Sequence, residues 1–331
     1  VDAANTLDQS AVTYTIAGDN DVNLIGAQSA FSASATTGAK LVNTGSGDVS
    51  MTYTTVDGED ETLEGFGVLG GGLTIAGLAT TKTSEVNVAS GNTVTSTNVG
   101  ILTLDANDSA ATSTLTLNQM NTTDGVTFKK FEEVTINAND SAPVDLNAVT
   151  GGGASLTIAS DNDVSLDTVT GFNVLNVTAL DINLDDDVGA GASDNDVILT
   201  ATNDVTTATD KAISIDDDLT VTAVTGDATL DAITVVGAVT DTANIKVTAG
   251  DDVTFGGDVL STAGSLTAEG DDIIVDNDVT LTLGNISLES TGNDVVQAGA
   301  TTITATAGTL TIEAANDVDL NGAVTANHGV T

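Results

Sequence analysis

The amino-acid sequence predicts an all-β chain wound as a parallel β-helix, a β-solenoid, and three observations predict it. β-Branched Val and Thr crowd the chain, which favours pleated strands over helices. Short alternating segments bounded by turn residues recur roughly every 8–12 residues from about residue 85 onward. One unit keeps returning: an Asp-centred turn, an aliphatic residue, then alternation.

The composition sets the kind of core. The hydrophobic fraction is 40% but the aromatic fraction only 2%, with no Trp, two Tyr and six Phe. A compact globule relies on aromatics to fill a wide core, whereas Val, Ile, Leu and Ala suit a narrow, repetitive one. The alternation is explicit. Val279, Leu281 and Leu283 face one way, with Thr280 and Thr282 facing the other. Leu310 and Ile312 do the same beside Thr309 and Thr311, and Val164 with Leu166 alternates against Ser165. Period two marks a strand with one buried face.

The recurring unit appears first as Asp19-Asn20-Asp21-Val22-Asn23-Leu24 and returns as Asp161-Asn162-Asp163-Val164-Ser165-Leu166. Further copies are Asp194-Asn195-Asp196-Val197, Gly250-Asp251-Asp252-Val253, Asp276-Asn277-Asp278-Val279 and Asn316-Asp317-Val318. Weaker forms are Asn203-Asp204-Val205 and Asn293-Asp294-Val295, and the spacing between copies is irregular. Tandem β-sandwich domains are the alternative, but they need large core residues and tight hairpins. The chain has one Pro, Pro143, and few Asn-Gly signals. Stacked coils need only aliphatic ladders and small or Asn/Asp turns. At ~20–25 residues per coil the chain makes roughly 13–16 coils, a rod roughly 60–80 Å long.

Two glycine runs punctuate the chain, Gly65 to Gly72 and Gly151-Gly152-Gly153. They suggest a boundary near residue 150: residues 1–150 as an N-terminal β-rich region that caps or docks subunits, and 151–331 as regular coils. Phe128-Lys129-Lys130-Phe131-Glu132-Glu133 reads as a cap or an inserted turn.

Charge narrows the partners. Forty-eight acidic residues face six basic ones, all lysines (Lys40, Lys82, Lys129, Lys130, Lys211, Lys246), for a formal charge of −42. Phosphate binding needs a basic surface, so nucleic acid is excluded and an anionic membrane surface disfavoured. Such self-repulsion calls for a salty medium, divalent cations, or both. No cysteine is present, which removes disulfide and thiol chemistry. No apolar run approaches the ~18 residues that span a bilayer, and no charged-then-apolar leader opens the sequence. Acidity with scarce lysine points to a secreted product.

The acidic turns are the candidate ligand sites. Clustered carboxylate and amide oxygens are what Ca²⁺ prefers, and stacked turns can pool ligands from neighbouring coils. The candidates are Asp161, Asp163, Asp185, Asp186, Asp187, Asp194, Asp196, Asp216, Asp217, Asp218, Asp251, Asp252, Asp271, Asp272, Asp276 and Asp278. Against this stands the plainer role of Asp and Asn, satisfying turn backbone and keeping the surface soluble. Neither an EF-hand loop nor a Gly-Gly-x-Gly-x-Asp nonapeptide occurs. The single histidine, His328, lies at the frayed end and reads as solvated or interfacial. Carboxylate pairs for glycoside hydrolysis arise by chance in so acidic a chain, and sugar-stacking aromatics are scarce, so no enzyme is expected. Asn-x-Ser/Thr occurs at Asn107, Asn121, Asn139, Asn176 and Asn285, near chance for a Thr-rich chain.

The segment Phe131-Glu132-Glu133-Val134-Thr135-Ile136-Asn137-Ala138 and the Thr/Val/Ala/Asp/Gly texture resemble the repetitive part of bacterial surface-layer proteins. Asn316-Asp317-Val318-Asp319-Leu320-Asn321-Gly322-Ala323-Val324 also resembles filamentous-haemagglutinin-type adhesins. The likeness spans about residues 85–331. It implies a secreted bacterial β-solenoid and, through the surface-layer proteins, Ca²⁺ binding. The expectation is a structural protein that assembles with copies of itself, with cell-surface polysaccharide as a further partner. A non-polymerising adhesin or stalk is the alternative.

Overall fold

A computed structural model describes the backbone of the strands between Thr13 and Ala138, and residues 143–331 apart from 147, 154, 190–194 and 238–242. Every regular element among the described residues is a β-strand, and the pairings are parallel. The chain forms two compact units, Val1–Asn162 and Asp163–Thr331.

In the first unit Thr13–Ile16, Lys40–Asn43, Leu73–Ala76 and Val94–Thr97 stack in one sheet. Val22–Ala27, Val49–Thr54, Thr83–Val88, Ile101–Ala106, Val126–Lys129 and Val149–Thr150 stack in a second. The cluster from Phe128 to Glu133 takes in the end of one strand and the start of the next, with residues 130–132 outside the described ones. Phe128 is buried within one coil strand, and Glu133 opens the next, Glu133–Ala138.

The second unit is a three-sided solenoid of about eight coils. Each coil contributes a short strand to the first sheet, one to the second and a longer one to the third. Val253–Phe255, Val259–Ser261 and Leu266–Gly270 form one such coil. First-sheet strands open at Val164, Ile182, Val205, Ala228, Val253, Ile273, Val295 and Val318, in register, so coils run from 18 to 25 residues. The last coil closes through a bridge between Leu310 and Val330.

Alternation does the packing. On the third sheet Leu175, Val177 and Ala179 point inward from one coil, and Leu219, Val221 and Ala223 from another. The inward residue that ends each of these strands is small (Ala179, Ala201, Ala223, Ala249, Gly270, Ser290). This explains how so much Ala and so few aromatics still give a close-packed core. Phe255 is a large exception, fully buried, and its coil carries Ala268 where the neighbouring coils place Val247 and Leu288. Leu283 departs from expectation: its strand ends at Leu281, and Leu283 lies half-buried in the corner beyond. There Gly264 and Gly284 adopt φ of 93° and 97°, and a Cβ on Gly284 would lie 2.0 Å from the Gly264 carbonyl oxygen. Only glycine lets these corners stack.

Candidate functional site

Stacked coils bring corner residues 18 to 25 positions apart in sequence into contact, and the acidic turns become ladders. The first corner precedes the first sheet. The Asp163 carboxylate accepts the backbone N–H of Asp181, and the Asp181 carboxylate accepts that of Asp204 at 3.0 Å. Asp204 caps Asp227 at 2.9 Å, Asp227 caps Asp252 at 3.0 Å, and Asp252 caps Asp272 at 3.0 Å. Asp272 then caps Asp294 at 2.7 Å, and Asp294 caps Asp317 at 3.0 Å. Every coil of the second unit thus supplies one Asp immediately before the first residue of its first-sheet strand. The short side chain reaches up one layer to satisfy a corner N–H that the sheets leave free.

The other corners use the same device with mixed residues. Before the third sheet, Asp196 caps Asp218 (3.2 Å), Asp218 caps Asn244 (2.6 Å), Asn244 caps Ser265 (3.1 Å), and Asn285 caps Thr309 (2.9 Å). Before the second sheet, Asp187 caps Ala212 (2.9 Å), Asp258 caps Asp278 (3.3 Å) and Asp278 caps Thr302 (2.7 Å). Neutral amides and hydroxyls do the capping where they occur, so capping itself does not require charge.

The carboxylate-only first corner therefore carries an electrostatic cost. In-register residues sit ~4.8 Å apart, where two unit charges repel by about 1 kcal/mol in bulk-water dielectric. A net hydrogen bond contributes about the same. The balance turns on screening. Burial pushes the Asp252 carboxyl up, helped by the charges of Asp272, Asp251 and Asp227, although its hydrogen bond from Asp272 works the other way. Burial likewise raises Asp163, with Asp181 adding to it.

Among the described residues, two groups of carboxylates converge closely enough to hold a cation. Asp196, Asp217 and Asp218 place oxygens within 4.8 Å of one another, as do Asp227, Asp251 and Asp252. These arrangements fit a hard cation that takes oxygen ligands from adjacent coils. The first group joins two successive third-corner turns, and the second joins two first-corner turns.

The remaining candidates divide differently. The Asp185-Asp186-Asp187 turn has protein partners. The Ser165 hydroxyl donates to Asp185, the Thr168 hydroxyl to Asp186 at 2.9 Å, and Lys211 Nζ to Asp186 at 2.6 Å. The Lys211 and Thr168 bonds lower the Asp186 carboxyl to about 2. Here a lysine supplies the positive charge. Asp271 accepts from the Asn293 amide at 2.9 Å, and Asp216 donates its N–H to the buried Asn195 side chain at 2.8 Å. Asp276 bonds through its N–H to the Phe255 carbonyl at 3.0 Å. Asp161 is exposed in its turn, and Asp194 lies outside the described residues. His328 is exposed, with Nδ1 3.1 Å from the Ala307 carbonyl oxygen.

Sequence reasoning missed Asp227, which completes a carboxylate group, because it precedes Ala228 rather than the usual Val. It also missed the pairing of Lys211 with Asp186 across 25 residues. Asp181, Asp204, Asp258, Asp294 and Asp317 carry the ladders without having stood out as ligands. No family model, curated protein or solved structure matches the chain.

Proposed function

We propose that this chain is an extracellular structural protein that self-assembles, coil upon coil, into a cell-surface filament, fibre or surface layer, with Ca²⁺ stabilising its acidic corners. The observation that carries the reading is the repetition of one coil: first-sheet strands stack in parallel register from Val164 to Val318. An Asp of one layer caps the corner N–H of the next through most of that stack.

What adds to such a stack is another coil bearing a corner N–H followed by an aliphatic residue, and this chain is built of such coils. Addition of one copy to the edge of another is a head-to-tail contact, which propagates rather than closing. The same residue types recur at equivalent positions around the coils, which supports a scaffold role over a single reactive centre. The two carboxylate groups are where Ca²⁺ would relieve repulsion between coils.

Negative-stain electron microscopy of the protein with millimolar Ca²⁺, and in parallel with chelator, tests both parts. Ordered filaments or sheets with Ca²⁺ alone support assembly and acidic-corner ligation together. Assembly in both conditions keeps the structural role and removes Ca²⁺ as its trigger. Isolated particles in both overturn self-assembly in favour of a stalk or adhesin.

A further inference from the structure

The first carboxylate group draws on two coils, so it exists only while those coils hold one alignment. Asp196 opens the third-sheet strand of the second coil, and Asp217 and Asp218 precede that of the third. The two coils pair over five residues on the third sheet, from Val197 with Leu219 to Ala201 with Ala223. On the second sheet they pair over two, Val188 with Ile213 and Gly189 with Ser214. The corner that carries Asp217 and Asp218 is therefore held by a long ladder on one side and a short one on the other.

Lys211 closes the short side. Its Nζ donates to Asp186 at 2.6 Å, and the other oxygen of that carboxylate accepts the Thr168 hydroxyl at 2.9 Å. Thr168, Asp186 and Lys211 stand at the corner before the second sheet in the first, second and third coils, so one carboxylate ties three layers. The next residue, Ala212, gives its N–H to Asp187 at 2.9 Å. The turn that brings Lys211 there closes with its own N–H on the Ala208 carbonyl at 3.1 Å, through Asp210 at φ 64°. Asp adopts that left-handed conformation more readily than most residues.

The strand Ala212–Ile215 then leads from the staple to the carboxylate group. Asp216 gives its N–H to the buried Asn195 at 2.8 Å, and Asp218 gives its N–H to Asp196 at 3.2 Å. Asp187 and Asp167 add to the field that keeps the Lys211 ammonium charged. The second group, Asp227 with Asp251 and Asp252, has no ammonium stapling its coils among the described residues.

We propose that Lys211 is a positioning residue for the first carboxylate group: by stapling the third coil to the second through Asp186, it holds Asp217 and Asp218 against Asp196 before a cation arrives. The proposal rests on the Ca²⁺ reading above. Its sign separates it from simple electrostatics, since an ammonium close to a cation site repels the cation. Lys211 and Asp217 are joined by a run of extended strand roughly 15–20 Å long, beyond the ~8 Å Debye length at physiological salt. The repulsion is screened, and the alignment is what the site feels.

Calorimetric titration with Ca²⁺ at physiological salt tests this in two backgrounds. Asp251→Asn protein leaves the first group intact, and Asp217→Asn protein leaves the second. Adding Lys211→Met lowers the affinity of the first group about two- to fivefold, the scale of a half-exposed ion pair, and leaves the second unchanged. Lys211→Arg keeps the wild-type value. Melting in chelator is the fold control. Thr168→Val, which loosens the same carboxylate with no change of charge, takes the place of Lys211→Met if that variant does not fold. Unchanged or raised affinity at the first group overturns the proposal, a rise meaning that the lysine acts only as a repelling charge. Equal losses at both groups overturn it as well, because they report general loosening. Wild-type protein that takes up no Ca²⁺ is a separate result, and it removes the ligation reading instead.

Discussion

The Asp227 carboxylate accepts the backbone N–H of Asp252 at 3.0 Å, while Asp252 holds Asp272 in the same way one coil further on. Each Asp therefore has two jobs with different requirements. As a cap it needs only an acceptor oxygen; as an ion it repels the residue it caps.

Substitution at Asp252 separates the two jobs. Asp252→Ala leaves the Asp272 N–H without its partner and lowers stability by about 1 kcal/mol. Asp252→Asn keeps the acceptor, removes one repelling charge, and at low salt leaves stability equal to or above wild type. Denaturant titration at low and high salt measures both, and an Asn variant as damaged as Ala would contradict the capping account.

The pH response has two opposing limbs. Asp252 and Asp163 titrate above their unfolded value of 3.8, so the folded state holds those protons more tightly. Stability from them is greatest below 3.8 and is lost as pH rises through the raised values. Asp186 behaves oppositely: lowered to about 2, it contributes stability above 3.8 that is lost as pH falls toward 2. Melting temperature therefore rises as neutral protein is acidified toward the carboxylate range, then falls toward pH 2. In Asp252→Asn the rise is smaller, and in Lys211→Met the final fall is smaller.

Cation binding is predicted to follow the two convergent groups rather than acidity at large. Asp251→Asn and Asp217→Asn each reduce the Ca²⁺-induced increase in melting temperature. Asp185→Asn, whose carboxylate is already engaged by Ser165, leaves it unchanged. Equal effects from all three would mean diffuse screening.

Core volume is shared within a coil. Ala268→Leu overpacks the coil that holds Phe255 and costs about 1–3 kcal/mol. Phe255→Leu in the same chain recovers part of that loss. Purely additive losses in the double variant, read by chemical denaturation, would show that the two positions do not share space.

The solenoid class was legible because period-two alternation and Asp-aliphatic junctions are local features. The irregular spacing of those junctions has a simple origin. Asp163-Val164 and Asp252-Val253 open first-sheet strands, Asp278-Val279 opens a second-sheet strand, and Asp196-Val197 a third-sheet strand. One motif marks three corners, so its copies fall at unequal intervals along the chain. Which acidic residues converge was not legible, because that depends on register between coils of different length. Asp227 meets Asp251 and Asp252 only through the pairing of Ala228 with Val253. Lys211 reaches Asp186 across a corner that no local pattern specifies.

Sedimentation velocity across a concentration series, run with Ca²⁺ and with chelator, tests coil-on-coil assembly most directly. The account predicts species that grow with concentration when Ca²⁺ is present. Wild-type protein that remains a monomer at the highest attainable concentration, with Ca²⁺ present, would contradict it.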